Sequence, residues 1–245
     1  MRKPIIIIEK DENIPAEIIK WADSHSVPII FKQQDSIHTK VAGSKSETEN
    51  NGTDISDYDH VIEYSEDITE DYLETAYCHA RGIPAAITST ERLLIREIGP
   101  EDLELYQKII REYPGSVSDH TLLNLSFPEF KDRHLAYMKY SYSFLGYGIY
   151  GIFLKNEKEN ISNMIGIAGL DGTDIPSLSY ALFKNYQGMG YAFEACKAII
   201  EYSLDFLAIN RINICVKKDN ISSIGLARKL KTLYPDLLQI IEETP

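Results

Sequence analysis

Apolar residues recur along this chain in two periods, and their alternation predicts two α/β segments. Pro4 to Glu9 is a short continuous apolar run, the pattern of a strand buried on both faces. Pro15 to Ser24 is helical, with Ile18, Ile19 and Trp21 offering an apolar face. Val27 to Lys32 and His60 to Tyr64 predict two further strands, and Thr69 to Arg81 a second helix. Strands alternating with helices imply a small parallel sheet. Between them, Ser36 to Ser56 is rich in Ser, Thr, Asn and Glu and nearly lacks large apolar residues, so it reads as a flexible loop. Gly82-Ile83-Pro84 ends the second helix, and Ala85 to Thr90 is expected as a connector.

The pattern then changes. Glu91 to Ile98 reads as a strand with Leu93, Ile95 and Glu97 on one face. Gly99-Pro100-Glu101-Asp102 starts a helix reaching about Arg111, with proline and acids in its first turn. A second helical stretch covers about Pro128 to Phe144. Tyr147 to Lys155 and Met164 to Leu170 predict strands joined by a polar turn, Asn156 to Asn160. Leu178 to Phe183 is another short apolar run. The turn Gln187-Gly188-Met189-Gly190-Tyr191-Ala192 follows it. Ala192, Ala195, Cys196, Ile199, Ser203 and Phe206 then recur at helical spacing, and Arg211 to Lys217 and Asn220 to Leu230 read as strand and helix. The expected organisation is a small acidic α/β domain over residues 1–88 and a second α/β domain over 89–245.

Charge changes the picture only in the first part. Residues 1–90 hold 8 Lys and Arg against 17 Asp and Glu; the remainder holds 17 against 20. An acidic surface argues against nucleic acid as a partner, because phosphates require cations. No apolar run approaches the roughly 20 residues that span a bilayer, which argues against a membrane. Cys78, Cys196 and Cys215 lack metal-like spacing, so neither zinc nor disulfides are expected. Cys196 and Cys215 read as buried small hydrophobes rather than reactive thiols. His25, His38, His60 and His79 are scattered and read as surface residues. A cytoplasmic enzyme without metal is the expectation.

A strand, a glycine-bearing turn and a helix leave backbone N–H groups unpaired at the helix start, and these suit a phosphate. Gly188 and Gly190 allow positive φ and close approach of a ligand. The plain alternative is a tight connection. Gln187, Gly190 and Ala192 match the Gln/Arg-x-x-Gly-x-Gly/Ala signature, and Asn220-Ile-Ser-Ser223 resembles an Asn-x-x-Ser helix start. With these two motifs the chain, over about residues 89–231, resembles the GCN5-related N-acetyltransferases (GNAT), in particular the branch acting on ribosomal protein N-termini.

The resemblance implies a mixed central sheet flanked by helices and acetyl-CoA as acyl donor. It implies that the backbone of Tyr180, Ala181 and Leu182 pairs with the pantetheine arm. Gln187, Gly188, Met189, Gly190, Tyr191, Ala192 and Phe193 would surround the pyrophosphate. Asn220 would contact the arm near the thioester, a role that can coexist with capping its own helix. The reaction implied is direct attack of a primary amine, of a small molecule or a protein N-terminus, in a ternary complex. Many relatives carry a glutamate, proposed as base, where Ser177 stands, and other branches a tyrosine acid where Ala227 stands, which leaves Ser223 as the candidate acid, with helix capping as its plain reading. Asp171, Asp174, His120, Glu129 and His134 are the other candidate bases, each with a plain surface reading. Tyr113, Tyr137, Tyr140, Tyr142, Phe144, Tyr147 and Tyr150 either line an acceptor pocket or pack the core. After Leu230 at most one strand is expected, Leu237 to Glu242, so the sheet is short by a strand, is completed by a second copy of the chain as a homodimer, or belongs to a degenerate protein. The alternative function is a catalytically weakened CoA-binding module with a regulatory role. A doubly wound nucleotide-binding enzyme is disfavoured, since the glycine turn lies late in the chain.

Overall fold

The structure, a computed structural model, describes residues 4–9, 15–27, 29–33, 36–40, 60–63, 69–138, 142, 145–155, 161–172, 174–207 and 209–243. Backbone contacts divide it into two compact units, Met1–Ala85 and Ala86–Pro245. Expectations for 41–56, 156–160, Tyr140 and Phe144 lie outside the described residues.

In the first unit, β1 (Pro4–Glu9) runs parallel to both β2 (Ile29–Gln33) and β4 (His60–Glu63), and β3 (Ser36–Lys40) pairs antiparallel with β2. Residues 36–40 are therefore a strand, where the sequence reads as loop. Alternating β-branched Ile37 and Thr39 beside an available edge outweigh the polar composition. Helices α1 (Ala16–His25) and α2 (Glu70–Arg81) face one another through Trp21, whose Nε1–H donates to Glu74 at 2.9 Å. Thr69 caps α2, its hydroxyl accepting from Tyr72 N–H at 3.2 Å, and Gly82 ends it at φ 64°.

The second unit is built on a seven-stranded sheet. Five consecutive strands form an antiparallel meander: β5 (Ala86–Ser89), β6 (Leu93–Arg96), β7 (Ile149–Lys155), β8 (Ile161–Asp171) and β9 (Ser177–Leu182). Beyond β9, β10 (Ile212–Lys217) and β11 (Leu238–Glu243) continue the sheet in parallel. The connector expected at 85–90 is thus largely strand β5, because Ile87 and Thr88 suit the open edge of β6.

Alternation along the strands builds a core on each face. Leu93, Ile95, Ala168, Leu170, Leu178 and Leu182 pack with α5 (Tyr191–Phe206) and α6 (Ile221–Leu233). On the other face, Ile149, Phe153, Ile167 and Ala181 pack with α3 (Leu103–Glu112) and α4 (Phe127–Tyr137). Arg96 donates to Asp102 at 2.8 Å, and Asp102 accepts from Gly99 N–H at 2.9 Å, which fixes the start of α3. Glu97 is buried at 1% exposure, as its place on the Leu93–Ile95 face requires. Two face assignments need correction. Cys215 is exposed, because it alternates with buried Ile214 and Val216. Phe206, the last residue of α5, is 55% exposed, so the buried face of the helix ends before it, at Ser203.

Candidate active site

The glycine turn joins β9 to α5. Gly188 sits at φ 75° and Gly190, the residue before the helix, at φ 85°. A Cβ on Gly188 would meet nothing within 4 Å; one on Gly190 would meet only the Arg92 guanidinium at 3.5 Å. The turn is therefore open, not plugged by side chains. The first bond that closes the helix runs from Glu194 N–H to Gly190 O at 3.1 Å. The N–H groups of Tyr191, Ala192 and Phe193 precede that bond, at the positive end of a 16-residue helix.

Several side chains brace this turn. Gln187 Nε2 donates to Leu182 O at 2.8 Å and to the Tyr113 hydroxyl at 3.0 Å, tying the turn to the end of β9. Arg92 Nε donates to Glu194 at 2.7 Å, Arg92 Nη1 to Met189 O at 3.2 Å, and the guanidinium lies 4.5 Å from the Tyr191 ring centroid. Thr90 donates to the same Glu194 carboxylate. Burial pushes the Glu194 pKa up, but bonds from Thr90 and Arg92 outweigh it and hold the group below its ordinary value. Met189 itself is exposed.

Strands β9 and β10 pair only at Asn213 and Ser177, and Asn213 N–H donates to Pro176 O at 2.9 Å. Beyond that point the two strands part, so the β10-facing edge of β9 has no strand partner while its other edge bonds to β8 throughout. Tyr180 and Leu182 turn their side chains toward α5 and α6, and Ala181 toward α3. The Tyr180 hydroxyl is buried with no hydrogen-bond partner, and burial pushes its pKa up to about 12. Ser223 lies close enough to offset part of that shift, but without hydrogen-bond geometry. Asn213 Oδ1 is the other buried side-chain atom left without a partner among the described residues. Asn220 caps α6, its Oδ1 accepting from Ser223 N–H at 3.1 Å.

On the α3 side, Ser177 lies directly opposite Asp171 in the β8–β9 ladder, and Ser179 opposite Gly169. A cavity of about 80 Å³ opens beside Asp171. Its walls are mostly apolar, from Tyr106, Val117, Leu122, Phe130, Tyr137 and Ile149, with Ser118, Asp119, Arg133 and His134 as their polar part. His134 is 4% exposed, where a surface residue is expected; its place on the sheet-facing side of α4 puts it in the core. Its Nε2–H donates to Ile98 O at 2.8 Å, and burial holds its pKa below the ordinary value, so the ring is neutral at neutral pH with Nδ1 as its protonless nitrogen. Glu129 is exposed and accepts from Ser126, closing a capping box. His120 and Asp174 are exposed.

The geometry thus brings Gln187 to Phe193 together with the free edge of β9, and Ser223 with Tyr180. It leaves Ser177 without a carboxylate of its own but places Asp171 across the ladder. The aromatic set divides: Tyr137 lines the cavity, Tyr142 and Tyr150 are core, and Tyr113 bonds to Gln187. The cluster of Thr90, Arg92 and Glu194 has no local signature, since Glu194 lies 104 and 102 residues from the other two. Asn213 carried a signal: it is a polar residue between Ile212 and Ile214. Cys196 is buried, and burial pushes its thiol pKa up, which disfavours the nucleophilic thiolate. Among the described residues no group of His, Cys, Asp and Glu could hold a metal ion, and no helix is long and apolar enough to cross a membrane.

Among solved structures, the chain is similar to an acetyltransferase from Agrobacterium tumefaciens, at 23% identity over 58% of this chain and 81% of that one, with a TM-score of 0.46. It is similar to an acetyltransferase from Salmonella typhimurium that modifies the N-terminal serine of ribosomal protein L7/L12, at 18% identity over 58% and 81%, TM-score 0.46. It is similar also to a ribosomal L7/L12 alpha-N-protein acetyltransferase in complex with coenzyme A, at 18% over 59% and 81%, TM-score 0.48. The family model described as "Acetyltransferase (GNAT) domain" matches residues 92–232, more than half of the chain. With that match, and a seven-stranded mixed sheet flanked by helices, the chain belongs to the GNAT acetyltransferase family.

Proposed function

We propose that the protein transfers an acetyl group from acetyl-CoA to a primary amine, a small molecule or a protein N-terminus, by direct attack in a ternary complex. The observation that carries this reading is the open glycine turn at the start of α5, set beside the unpartnered edge of β9. The N–H groups of Tyr191, Ala192 and Phe193 suit the pyrophosphate of coenzyme A. Amides of the pantetheine arm would bond to the β9 edge at Tyr180 to Leu182 as an added strand does. Coenzyme A supplies the activated thioester.

The chain's own residues then have three tasks. They hold amine and thioester in line, which supplies much of the rate. They accept a proton from the amine, since an alkylammonium of pKa about 10 has no free lone pair. They return a proton to the departing thiolate, for which the Ser223 hydroxyl, beside Tyr180 and next to the Asn220 cap, is our candidate. As the C–N bond forms, the C–S bond breaks, and the amine proton is carried away as the thiolate gains one. In this reading the transferase domain covers 89–245, the protein is cytoplasmic, and a second copy pairs with the β11 edge. Residues 1–88 form a separate acidic domain.

A thermal-shift comparison of CoA, acetyl-CoA, longer acyl-CoAs and ATP tests the donor, followed by turnover with an amine panel. CoA species should stabilise the protein and ATP should not. The second reading, a CoA-binding module without turnover, is favoured by Ser177 on β9. Equal stabilisation by CoA and acetyl-CoA with no acetylated amine would select it.

A further inference from the structure

Asp171 ends β8 with a carboxylate that is held in place but not neutralised. Its Oδ2 accepts from Ser118 N–H and its Oδ1 from Gly172 N–H, both at 2.9 Å. Each carboxylate oxygen can accept a second hydrogen bond, so capacity remains. Asp119, the other acid on the cavity, is engaged differently: it pairs with Arg133 at 3.1 Å and accepts from Thr121. Among the described residues no Lys, Arg or His forms an ion pair with Asp171. His134 in the same wall donates to Ile98 O and carries no charge at neutral pH. The cavity therefore presents at its edge one carboxylate without an ion-pair partner, beside the Asp119–Arg133 pair, and walls that are otherwise mostly apolar and aromatic.

That charge also faces the strand that matters. Directly opposite residues in an antiparallel ladder have Cβ atoms about 5 Å apart on the same face. Asp171 is opposite Ser177, so its carboxylate lies on the Ser177–Ser179 face of β9, at the residue from which β9 and β10 part. A cation on Asp171 would lie next to that strand, with its substituent directed among Tyr106, Phe130 and Tyr137.

We propose that this cavity is the acceptor subsite, and that it selects a primary amine bearing a short apolar substituent, the ammonium on Asp171 and the substituent among the aromatic side chains. The inference rests on the transferase reading above and narrows its acceptor. A volume of about 80 Å³ is near half that of an engineered cavity that holds benzene, which sets the substituent at a few carbons. The other acid on the cavity, Asp119, is already paired with Arg133, so a second ammonium would meet apolar walls or an engaged carboxylate, and polyamines should bind less well.

The test uses the full chain saturated with CoA and follows binding of butylamine, methylamine and spermidine by calorimetry, with acetyl transfer from acetyl-CoA measured in parallel. Butylamine should bind and react best. Asp171→Asn should weaken butylamine binding about 10- to 100-fold, the range for a charged hydrogen bond, without changing the CoA-induced thermal shift. Leu122→Trp, which fills the cavity from a half-exposed position, should weaken butylamine and spare methylamine. Transfer that proceeds with unchanged kcat/KM in both variants overturns the subsite while the transferase reading stands. Amine binding that depends on Asp171, without any turnover, supports the subsite and overturns the transferase reading. Butylamine and spermidine binding equally, or neither binding, overturns the proposal.

Discussion

Gly190 holds φ at 85° at the one place where β9 must turn into α5, and a side chain there is strained whatever the space. Gly190→Ala should cost about 1–2 kcal/mol in denaturant unfolding, and calorimetry should show weaker CoA binding, because a side chain at φ 85° strains the turn that presents the N–H groups. Asn220 separates two roles. Asn220→Asp keeps an acceptor for Ser223 N–H, whereas Asn220→Ala loses it and should lower stability by about 1 kcal/mol. If the side chain also contacts the pantetheine arm, both variants lose turnover and only the alanine loses stability. His134 gives a pH dependence with a definite sign. Its folded pKa lies below the ordinary 6.5, so its contribution is present above that value and is lost as pH falls through it. Urea unfolding should show stability falling as pH drops below about 6.5, and His134→Gln should flatten that dependence.

At the scale of elements, the start of α5 is clasped by a strand end. Thr90 and Arg92, just before β6, both bond to Glu194 in the first turn of the helix. The Arg92 side chain is 44% exposed, so solvent screening limits the pair to under about 1 kcal/mol. Glu194→Gln should therefore leave the melting temperature nearly unchanged. It should weaken CoA binding several-fold, because Arg92 also braces Met189 O in the turn. Elements with a strong period were legible: β6, β7, β9, α5 and α6 fall within a few residues of their expected spans. β3 and β5 were not, since short polar strands are stabilised by a neighbouring edge and carry no local signature. Cys215 shows the limit of the same reasoning within a strand. Hydrophobicity alone placed it inside, and the alternation with Ile214 and Val216 placed it outside.

At the scale of the molecule, the second unit carries a core on each face of one sheet, and Leu93 and Ile95 sit in the core on the α5 side with no exposed surface. Leu93→Ala should cost about 2–5 kcal/mol in equilibrium unfolding, and the CoA-induced thermal shift should persist if enough folded protein remains. Residues 86–245 expressed alone should keep that shift, given that the backbone contacts separate them from Met1–Ala85. A fragment that binds no CoA while the full chain does would show that the first unit contributes to the site.

By itself the amino-acid order determined the glycine turn, the helix after it and the Asn220 cap. These depend on neighbours within one or two turns, where φ freedom, periodicity and capping act. Only the tertiary structure decided that β9 and β10 part after one registered pair, that Asp171 stands across from Ser177, and that a buried, neutral His134 shares a cavity with it. Those facts depend on the relative twist and register of strands and on helices packed against them from distant parts of the chain. No local spacing encodes such distances, because they follow from how the two cores fill.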